Sequence, residues 1–235
     1  MNILKSTGGL ITHFLAPRVC LVCGTNLQQN KIKKFLCEKC IECIQLAPPG
    51  DELLEKIEAN YPDKDCFYIG NIFSYFHYVE GSPFARLIHD LKYNGLWMIG
   101  VELGREFGSL LRQIPGFGYD ALLPVPIHPA RRRERGYNQA EAIAQGIGIS
   151  TGIPVDCNIL LRKIYTTTQT KLSKTERRSN VSNAFKANIS VYIKGKSFLL
   201  VDDVLTTGST LNACAYALLE GGAKAADAAT LAAAG

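Results

Sequence analysis

The chain has 235 residues, of which 47% are hydrophobic and 20% charged, and its formal net charge is +5. A globular chain of this size buries enough surface to fold without disulfide bonds. Five of its eight cysteines lie between Cys20 and Cys43, which argues against a secreted, disulfide-stapled protein. The sequence shows no secretory signal peptide and no apolar run of the roughly 20 residues that span a membrane. We therefore expect a cytoplasmic protein without an integral membrane segment, and peripheral attachment at the inner face of the membrane is left open.

The first recognisable pattern along the chain is a pair of Cys-x2-Cys knuckles, Cys20 with Cys23 and Cys37 with Cys40. Each knuckle presents two thiolates from one tight turn, and two knuckles complete a tetrahedron of the kind that binds structural zinc. Four reduced cysteines in an apolar patch are the alternative. Cys43 adds a third such spacing and could replace Cys37 or Cys40, although we interpret it as a bystander. Because all four positions are sulfur, the predicted zinc site is closed.

The composition changes after the knuckles. Residues 48–65 are polar, with prolines at both ends of the stretch, and we interpret them as a linker around a short helix. This linker separates a predicted zinc-finger domain, residues 1–47, from a larger predicted domain, residues 66–235.

The larger domain alternates between strand and helix patterns. Aromatic and β-branched runs predict strands, and apolar residues with a period of 3.6 predict helices. The predicted elements are strands within 67–79, helices at 82–93 and 97–112, a strand at 120–127, a helix at 137–149, a strand at 159–164, a long polar loop at 165–180, a strand at 197–201, a helix at 209–221 and a strand at 225–232. Such alternation implies parallel pairing, so we predict an α/β fold with a doubly wound, mostly parallel sheet.

Two adjacent acidic residues, Asp202 and Asp203, follow the buried strand at 197–201. In open α/β sheets the ligand binds beyond the carboxyl ends of the strands. The next turn crowds hydroxyls around a glycine and comprises Thr206, Thr207, Gly208, Ser209 and Thr210. A helix N-terminus with extra hydroxyl donors suits a phosphate, whereas the carboxylates suit a diol or a magnesium ion that bridges to phosphates. One ligand, a sugar phosphate, satisfies both halves.

Two basic stretches accompany this pattern. The first is predicted to lie in a loop between a strand and a helix, and it consists of Arg131, Arg132, Arg133 and Arg135. The second runs from Arg162 to Lys186 and includes the polar loop at 165–180, and its candidates are Lys171, Lys174, Arg177 and Arg178. Arginine forks match phosphate oxygens, and a loop this long is typical of a lid or a binding loop. Solvated surface is the alternative for both stretches, and binding to a nucleic-acid backbone is another.

The segment "LLVDDVLTTGST" resembles the phosphoribosyl pyrophosphate (PRPP) binding motif of the type I phosphoribosyltransferases, with the acidic pair and the T-T-G-x-T loop complete. The segments "VPIHPARRRERGYNQAEAIA", "IHDLKYNG" and "TQTKLSKTERRSNVSNAF", with the double knuckle, resemble the ComF family of competence proteins over nearly the whole chain. The resemblance implies a phosphoribosyltransferase fold preceded by a small zinc finger. It also implies a role in natural transformation, moving incoming single-stranded DNA into the cytoplasm.

The resemblance assigns roles to residues as well. The acidic pair would hold the ribose hydroxyls, and it would act in catalysis together with Arg177 and Lys171. PRPP, bound with magnesium, would contact Asp202, Asp203, Thr206, Thr207, Gly208, Ser209, Thr210, Arg131, Arg132 and Arg133. The candidates for nucleic-acid binding are Arg131, Arg132, Arg133, Arg135, Lys171, Lys174, Arg177 and Arg178.

Two functions fit these residues. The first is a magnesium-dependent phosphoribosyltransferase with an unidentified acceptor, in which positioning and neutralisation of the departing pyrophosphate supply most of the catalysis. The second is a module that senses PRPP or holds single-stranded DNA without turnover, and whose zinc finger docks a competence helicase or an inner-membrane DNA channel. An intact PRPP motif argues for ligand binding but not for turnover.

Overall fold

The structure, a computed structural model, describes residues 18–27, 35–61, 63–163, 184–188 and 193–234. The strands in chain order are β1 (Ile72–Tyr78), β2 (Ala121–Pro124), β3 (Leu160–Arg162), β4 (Phe185–Ala187), β5 (Ser197–Leu205) and β6 (Ala225–Ala234). Four of them form a fully parallel sheet in the order β1-β6-β5-β2. The remaining two, β3 and β4, pair as a separate antiparallel hairpin.

Helices cover both faces of this sheet. In chain order they are α1 (Glu38–Glu42), α2 (Gly50–Glu58), α3 (Pro83–Tyr93), α4 (Trp97–Leu111), α5 (Pro129–Arg135), α6 (Gln139–Thr151) and α7 (Ser209–Glu220). One apolar core joins α3, α4, α6 and the cysteine-rich segment to the sheet, and a second core on the other face joins α2, α7 and the hairpin. The predicted α/β fold with a doubly wound, mostly parallel sheet is therefore confirmed.

The central strand β5 contains an uninterrupted apolar run at residues 198–201, and the fold explains it. Phe198 and Leu200 belong to the core on the α7 side, whereas Leu199 and Val201 belong to the core on the α4 and α6 side. All four side chains are fully buried. Successive residues of a strand point to opposite faces, so a strand covered on both faces is a continuous apolar run.

Glycines allow α4 and α6 to lie in direct backbone contact. A Cβ atom added at Gly104 would lie 2.4 Å from the carbonyl oxygen of Ile143, and one added at Gly146 would lie 2.3 Å from that of Val101. Any larger residue would push the two helices apart. This contact fixes the position of α6, whose amino end reaches the end of β2.

Strand β5 extends further than the sequence predicts. Its predicted end at residue 201 is wrong, because β6 continues beside it and pairs Ala232 with Val204 and Ala233 with Leu205. The acidic pair therefore lies within the carboxyl half of the strand and not after it. Strand β1 in turn begins only at Ile72, so the strand pattern at 67–71 is not realised.

The segment predicted as a linker is packed against the large domain. Leu46 forms an antiparallel bridge with Phe76 of β1, so the chain that leaves the knuckles lies along the outer edge of the sheet. Helix α2 follows, and its Leu53 and Ile57 are buried in the core beside α7. The boundaries at 47 and 66 stay a prediction.

Candidate ligand site

Strand β5 presents two neighbouring carboxylates, those of Asp202 and Asp203. Asp202 lies in register with Thr230 of β6, and the N–H of Asp203 donates a hydrogen bond of 2.8 Å to Oδ1 of Asp202. Both residues are partly buried. Two acceptor groups on one rigid strand match a ligand that carries adjacent hydroxyls.

Cations from two other elements act on this pair. Nζ of Lys92, on the last turn of α3, lies 3.1 Å from Oδ1 of Asp203. Burial, reinforced by the negative charge of Asp203, raises the pKa of Asp202 to about 7. The hydrogen bond from the Asp203 N–H and the positive charges of Lys92 and Arg162 oppose this rise in pKa. The two adjacent carboxylates therefore have different environments: Asp203 has an ionic partner, whereas Asp202 is desolvated.

Arg162, the last residue of β3, is held at the base of the hairpin. Its guanidinium lies 5.3 Å from the ring centre of Phe185, and its Nη1 lies 3.5 Å from the carbonyl oxygen of Pro126. Burial lowers the pKa of Arg162, and the neighbouring positive charge of Arg131 lowers it further. The structure thus brings the hairpin, the arginine run and the acidic pair into one electrostatic environment.

The turn between β5 and α7 carries the predicted hydroxyl cluster. Gly208 stands at the N-cap of α7 with φ +69° and has no side chain to cap the helix, and the N–H of Ser209 donates a long hydrogen bond of 3.5 Å to Oγ1 of Thr207. Thr206 and Thr207 are exposed, and the hydroxyls of Thr207 and Ser209 lie 3.0 Å apart. One small concavity is lined by Asp202 and residues 204–211. Its donors are those that a phosphate accepts at a helix N-terminus.

Helix α2 lies directly behind this turn. A Cβ atom at position 208 would lie 2.4 Å from Cγ2 of Ile57, so the close approach and the left-handed φ both require glycine there. The segment predicted as a linker therefore supports the back of the turn at residues 206–210, which we call the hydroxyl loop. This contact is not readable in the sequence, because nothing in the local pattern links Ile57 to Gly208.

The arginine run was predicted as a loop, and that prediction is wrong: residues Pro129–Arg135 form α5. His128 caps this helix, because its Nδ1 accepts the N–H of Ala130 at 3.2 Å, and Pro129 occupies the first turn. Gly136, with φ +79°, ends the helix. Alanine, arginine and glutamate are strong helix formers, and the phosphate-binding interpretation overlooked this local preference.

The four arginines have different partners. Arg132 makes two hydrogen bonds to the carboxylate of Glu141, at 2.9 and 3.3 Å. The guanidinium of Arg135 lies 5.1 Å from the ring centre of Tyr93 and donates to Oε1 of Gln139 at 3.0 Å. The other two are exposed, and no carboxylate partner appears for them within the described ranges; they are Arg131 and Arg133.

A cavity of about 420 Å³ opens between α5, α6 and β3. Its walls include Arg132, Arg133 and Arg162, together with Pro126 and Asn138. Asn138 is buried, donates from its Nδ2 to the carbonyl oxygen of Val125 at 2.9 Å and so fixes the chain that follows β2. The basic wall makes this cavity suitable for an anionic group.

The candidates of the second predicted basic stretch lie outside the described residues; they are Lys171, Lys174, Arg177 and Arg178. The structure in turn adds a residue that the sequence analysis missed. Lys92 lies in the "IHDLKYNG" segment, but its ionic partner on β5 is distant in sequence, so no local signal identified it.

The predicted knuckles converge. The Sγ atoms of Cys20, Cys23, Cys37 and Cys40 all lie within 4.8 Å of one another. The N–H of Cys37 also donates to Sγ of Cys20 at 3.4 Å. Cys43 is exposed and is not part of this cluster. Four thiolates around one point can hold a metal ion such as zinc, and they leave no position open for a substrate.

The cysteine cluster is attached to α4 by a buried carboxylate. Glu102, only 7% exposed, accepts the N–H of Leu36 at 3.0 Å and the N–H of Phe35 at 3.2 Å, just before the second knuckle. Cys20 and Cys40 themselves belong to the apolar core that contains α3, α4 and α6. The cluster and the sheet therefore share one hydrophobic core.

Comparison with known proteins agrees with this geometry. Residues 135–235 match the family model of the phosphoribosyl transferase domain. Competence protein F of Haemophilus influenzae is 32% identical over 202 residues, which cover 82% of this chain and 75% of that protein. The chain belongs to the ComF family. The DNA utilization protein YhgH of Escherichia coli (strain K12) is 29% identical to this ComF family chain over 226 residues, which cover 88% of this chain and 86% of the relative.

A solved structure is also similar to this ComF family protein. It is glutamine phosphoribosylpyrophosphate (PRPP) amidotransferase from B. subtilis complexed with ADP and GMP, with a TM-score of 0.40 and 22% identity. The match covers 56% of this chain and 26% of that one, so the chain spans about a quarter of the enzyme's length. Within the part of the chain that the structure describes, no helix has the length and apolar character needed to cross a membrane.

Proposed function

We propose that this protein binds PRPP with magnesium and acts in natural competence, in the uptake and handling of incoming single-stranded DNA. The observation that carries the proposal is one concavity lined by Asp202 and by the hydroxyl loop around Gly208, with Asp203 next to Asp202 on β5. The names of the relatives, competence protein F and DNA utilization protein, support the biological role.

In the proposed complex the ribose hydroxyls donate to the carboxylates of Asp202 and Asp203. The 5-phosphate accepts hydrogen bonds from the N–H groups at the start of α7 and from the hydroxyls of Thr206, Thr207, Ser209 and Thr210. The pyrophosphate faces the arginines of α5. Carboxylate oxygens are suitable magnesium ligands, and a bound magnesium ion would neutralise charge on the pyrophosphate.

Turnover, if the protein is a transferase, would depend on positioning and charge neutralisation. The acidic pair would stabilise positive charge that develops on the ribose, and the arginines would accept the departing pyrophosphate. Lys171 and Arg177, which follow β3 in the sequence, are proposed to complete the catalytic set.

The first test is calorimetric titration of PRPP into the protein in the presence of magnesium, beside the variant Asp203→Asn. We expect micromolar binding to the wild type and a loss of at least about tenfold in the variant, because the amide no longer presents an anionic acceptor to the ribose hydroxyls. The exposed lysine variant Lys224→Met, at the amino end of β6, is the matched control and should bind like the wild type. Absence of binding to the wild type would refute the proposal.

A second function is a non-catalytic module that holds single-stranded DNA, and the exposed arginine helix α5 favours it. Arg131, Arg132, Arg133 and Arg135, with Lys174 and Arg178, would bind phosphates, and the zinc finger would dock a competence helicase or a DNA channel at the inner face of the membrane. DNA binding that falls steeply with salt, survives Asp203→Asn and is lost with the arginines would favour this module. Competition between DNA and PRPP would show that both use α5.

A structural zinc ion in the four-cysteine cluster belongs to the same proposal. The donor set supports it, since four thiolates without an open position are typical of structural zinc sites. Zinc would contribute to folding, and the finger would present a surface to a partner.

A further inference from the structure

The ion pair between Lys92 and Asp203 occupies the site where the proposed ligand would bind. Nζ of Lys92 lies 3.1 Å from Oδ1 of Asp203, and the two side chains are only 24% and 15% exposed. An ion pair shielded in this way is screened less by solvent and salt than a pair on the open surface. The ammonium therefore competes with any other group that needs the same carboxylate oxygen.

Lys92 reaches this carboxylate from a firmly held segment. The hydroxyl of Tyr137 donates to the carbonyl oxygen of Leu91, and Leu91 itself is fully buried. On the other side of Lys92, the ring of Tyr93 lies under the guanidinium of Arg135. The last turn of α3 is thus attached to the junction between α5 and α6 on both sides of the lysine. Its position at the acidic pair is built into the fold.

The acidic pair and the cations around it carry no net negative charge before any ligand arrives. Asp202 and Asp203 supply two carboxyl groups, and Lys92 and Arg162 supply two positive charges that act on them. A divalent ion that approaches alone meets a site without net negative charge, and it must displace an ammonium to reach Asp203. Magnesium also loses its hydration shell reluctantly, so a site of this kind attracts it weakly.

We propose that Lys92 is an exchangeable counter-ion that keeps free divalent metal out of the acidic pair, so that magnesium enters only with the phosphates of its ligand. When the phosphorylated ligand binds, its anionic oxygens become the new partner of Lys92 and release Asp203. The exchange of partners by Lys92 rests on the proposed function, because it requires a phosphorylated ligand in this site. The exclusion of free metal rests on the ion pair alone.

The experiment measures binding of Mg²⁺ without PRPP, by calorimetry, to the zinc-loaded full chain. The variant Lys92→Met removes the ammonium and keeps the length of the side chain, whereas Lys92→Arg keeps the charge. We expect Lys92→Met to bind Mg²⁺ at least about tenfold more tightly than the wild type, since a partly shielded counter-ion is lost. Lys92→Arg should bind Mg²⁺ as weakly as the wild type.

Two controls show where the gain arises. Lys224→Met removes an equal charge at the other end of the sheet, so it should leave Mg²⁺ binding unchanged. Adding Asp203→Asn to Lys92→Met should abolish the gain, because the metal then has lost its anionic carboxylate ligand. If Lys92→Met does not fold, Lys92→Gln provides the same comparison with a shorter neutral side chain. Unchanged or weaker Mg²⁺ binding in the folded neutral variant would overturn the inference.

Titration of PRPP with magnesium separates this inference from the proposed function. Lys92→Met should bind the magnesium complex of PRPP at least about fivefold more weakly than the wild type, since a cation near the phosphates is lost. If the wild type does not bind PRPP, the proposed function fails and the Mg²⁺ titration still decides whether Lys92 excludes metal. If the wild type binds PRPP and Lys92→Met gains no Mg²⁺ affinity, only the role of Lys92 is refuted.

Discussion

At the scale of single residues, Asp202 and Asp203 show how two identical neighbours acquire different properties. Asp203 pairs with an ammonium, whereas burial and the adjacent negative charge raise the pKa of Asp202 to about 7. The folded protein therefore retains a proton on Asp202 at pH values where the unfolded chain has lost it. Between the ordinary pKa of 3.8 and about 7, this residue makes the folded state less stable as the pH rises.

The variant Asp202→Asn should not show this loss of stability at high pH. The amide cannot ionise, so we expect the variant to exceed the wild type in free energy of unfolding by on the order of 2 kcal/mol at pH 8. At pH 4 the two proteins should be similarly stable, because Asp202 is protonated in the folded wild type. Chemical denaturation at the two pH values measures the difference. Asp203→Asn is the contrast, since it leaves the Lys92 ammonium without its partner and should not stabilise the protein.

If Asp202→Asn exceeded the wild type in free energy of unfolding by the same amount at pH 4 and pH 8, the assignment of the raised pKa to Asp202 would be contradicted. If Asp202→Asn were more stable than the wild type only at pH 8 and no longer bound PRPP, the acidic pair would be shown to serve its ligand while lowering the stability of the fold.

The residues of the acidic pair and the hydroxyl loop were predictable because they are contiguous, so one short segment contains the whole motif. Lys92 was not predictable, because its partner lies on a strand that the fold brings to it from a distant part of the chain. The raised pKa of Asp202 was unreadable for the same reason, because the burial that raises it is a tertiary effect.

At the scale of elements, the contact between α2 and the turn before α7 supports the hydroxyl loop around Gly208. Gly208 has φ +69° and lies against Ile57, whereas Gly116 has φ +74° and open space around its Cβ direction. The two glycines share a backbone conformation and differ in their surroundings. They therefore separate the cost of a left-handed residue from the cost of a steric clash.

Gly116→Ala should cost about 1 kcal/mol of stability, the price of a left-handed alanine. Gly208→Ala should cost at least about 2 kcal/mol more, because the new methyl group meets Ile57, and it should weaken PRPP binding. Combining Gly208→Ala with Ile57→Ala should destabilise less than the sum of the two single changes. Denaturation of the four variants measures this coupling, and strict additivity would show that α2 does not support the loop.

The order and type of the main elements were predictable from periodicity, because helices and strands here alternate and their apolar faces are clear. The errors have identifiable physical causes. The prediction of a loop at α5 rested on its run of arginines, whereas the signals of a helix there are His128, Pro129 and Gly136, which begin and end it. The carboxyl end of β5 was placed too early, because pairing with β6 continues beyond the apolar run.

At the scale of the whole molecule, the cysteine cluster and the sheet depend on each other. Cys20, Leu36 and Cys40 share an apolar core with Phe76 and Ile143. The carboxylate of Glu102 on α4 fixes the backbone just before the second knuckle. Loss of a metal ion held by the four cysteines would therefore disturb the large domain and not only the cysteine cluster.

Removal of zinc with a strong chelator should lower the midpoint of thermal unfolding by at least about 10 °C, because metal binding contributes to folding free energy. Calorimetry of chelated and reloaded protein measures the shift, and metal analysis should give one zinc per chain. Cys37→Ser should lose the metal, whereas Cys43→Ser should retain it. Retention of zinc by Cys37→Ser would contradict the ligand assignment, and an unchanged midpoint after chelation would contradict the shared core.

The antiparallel bridge between Leu46 and Phe76 has a consequence for solubility. Strand β1 is the outermost strand of the parallel sheet, and an open edge invites pairing with another chain. The segment that leaves the knuckles covers this edge through the N–H of Ala47, which donates to the carbonyl oxygen of Tyr75, and the N–H of His77, which donates to that of Gln45. A phosphoribosyltransferase domain cut free at residue 66 would expose these groups, and copies of it would tend to aggregate through β1.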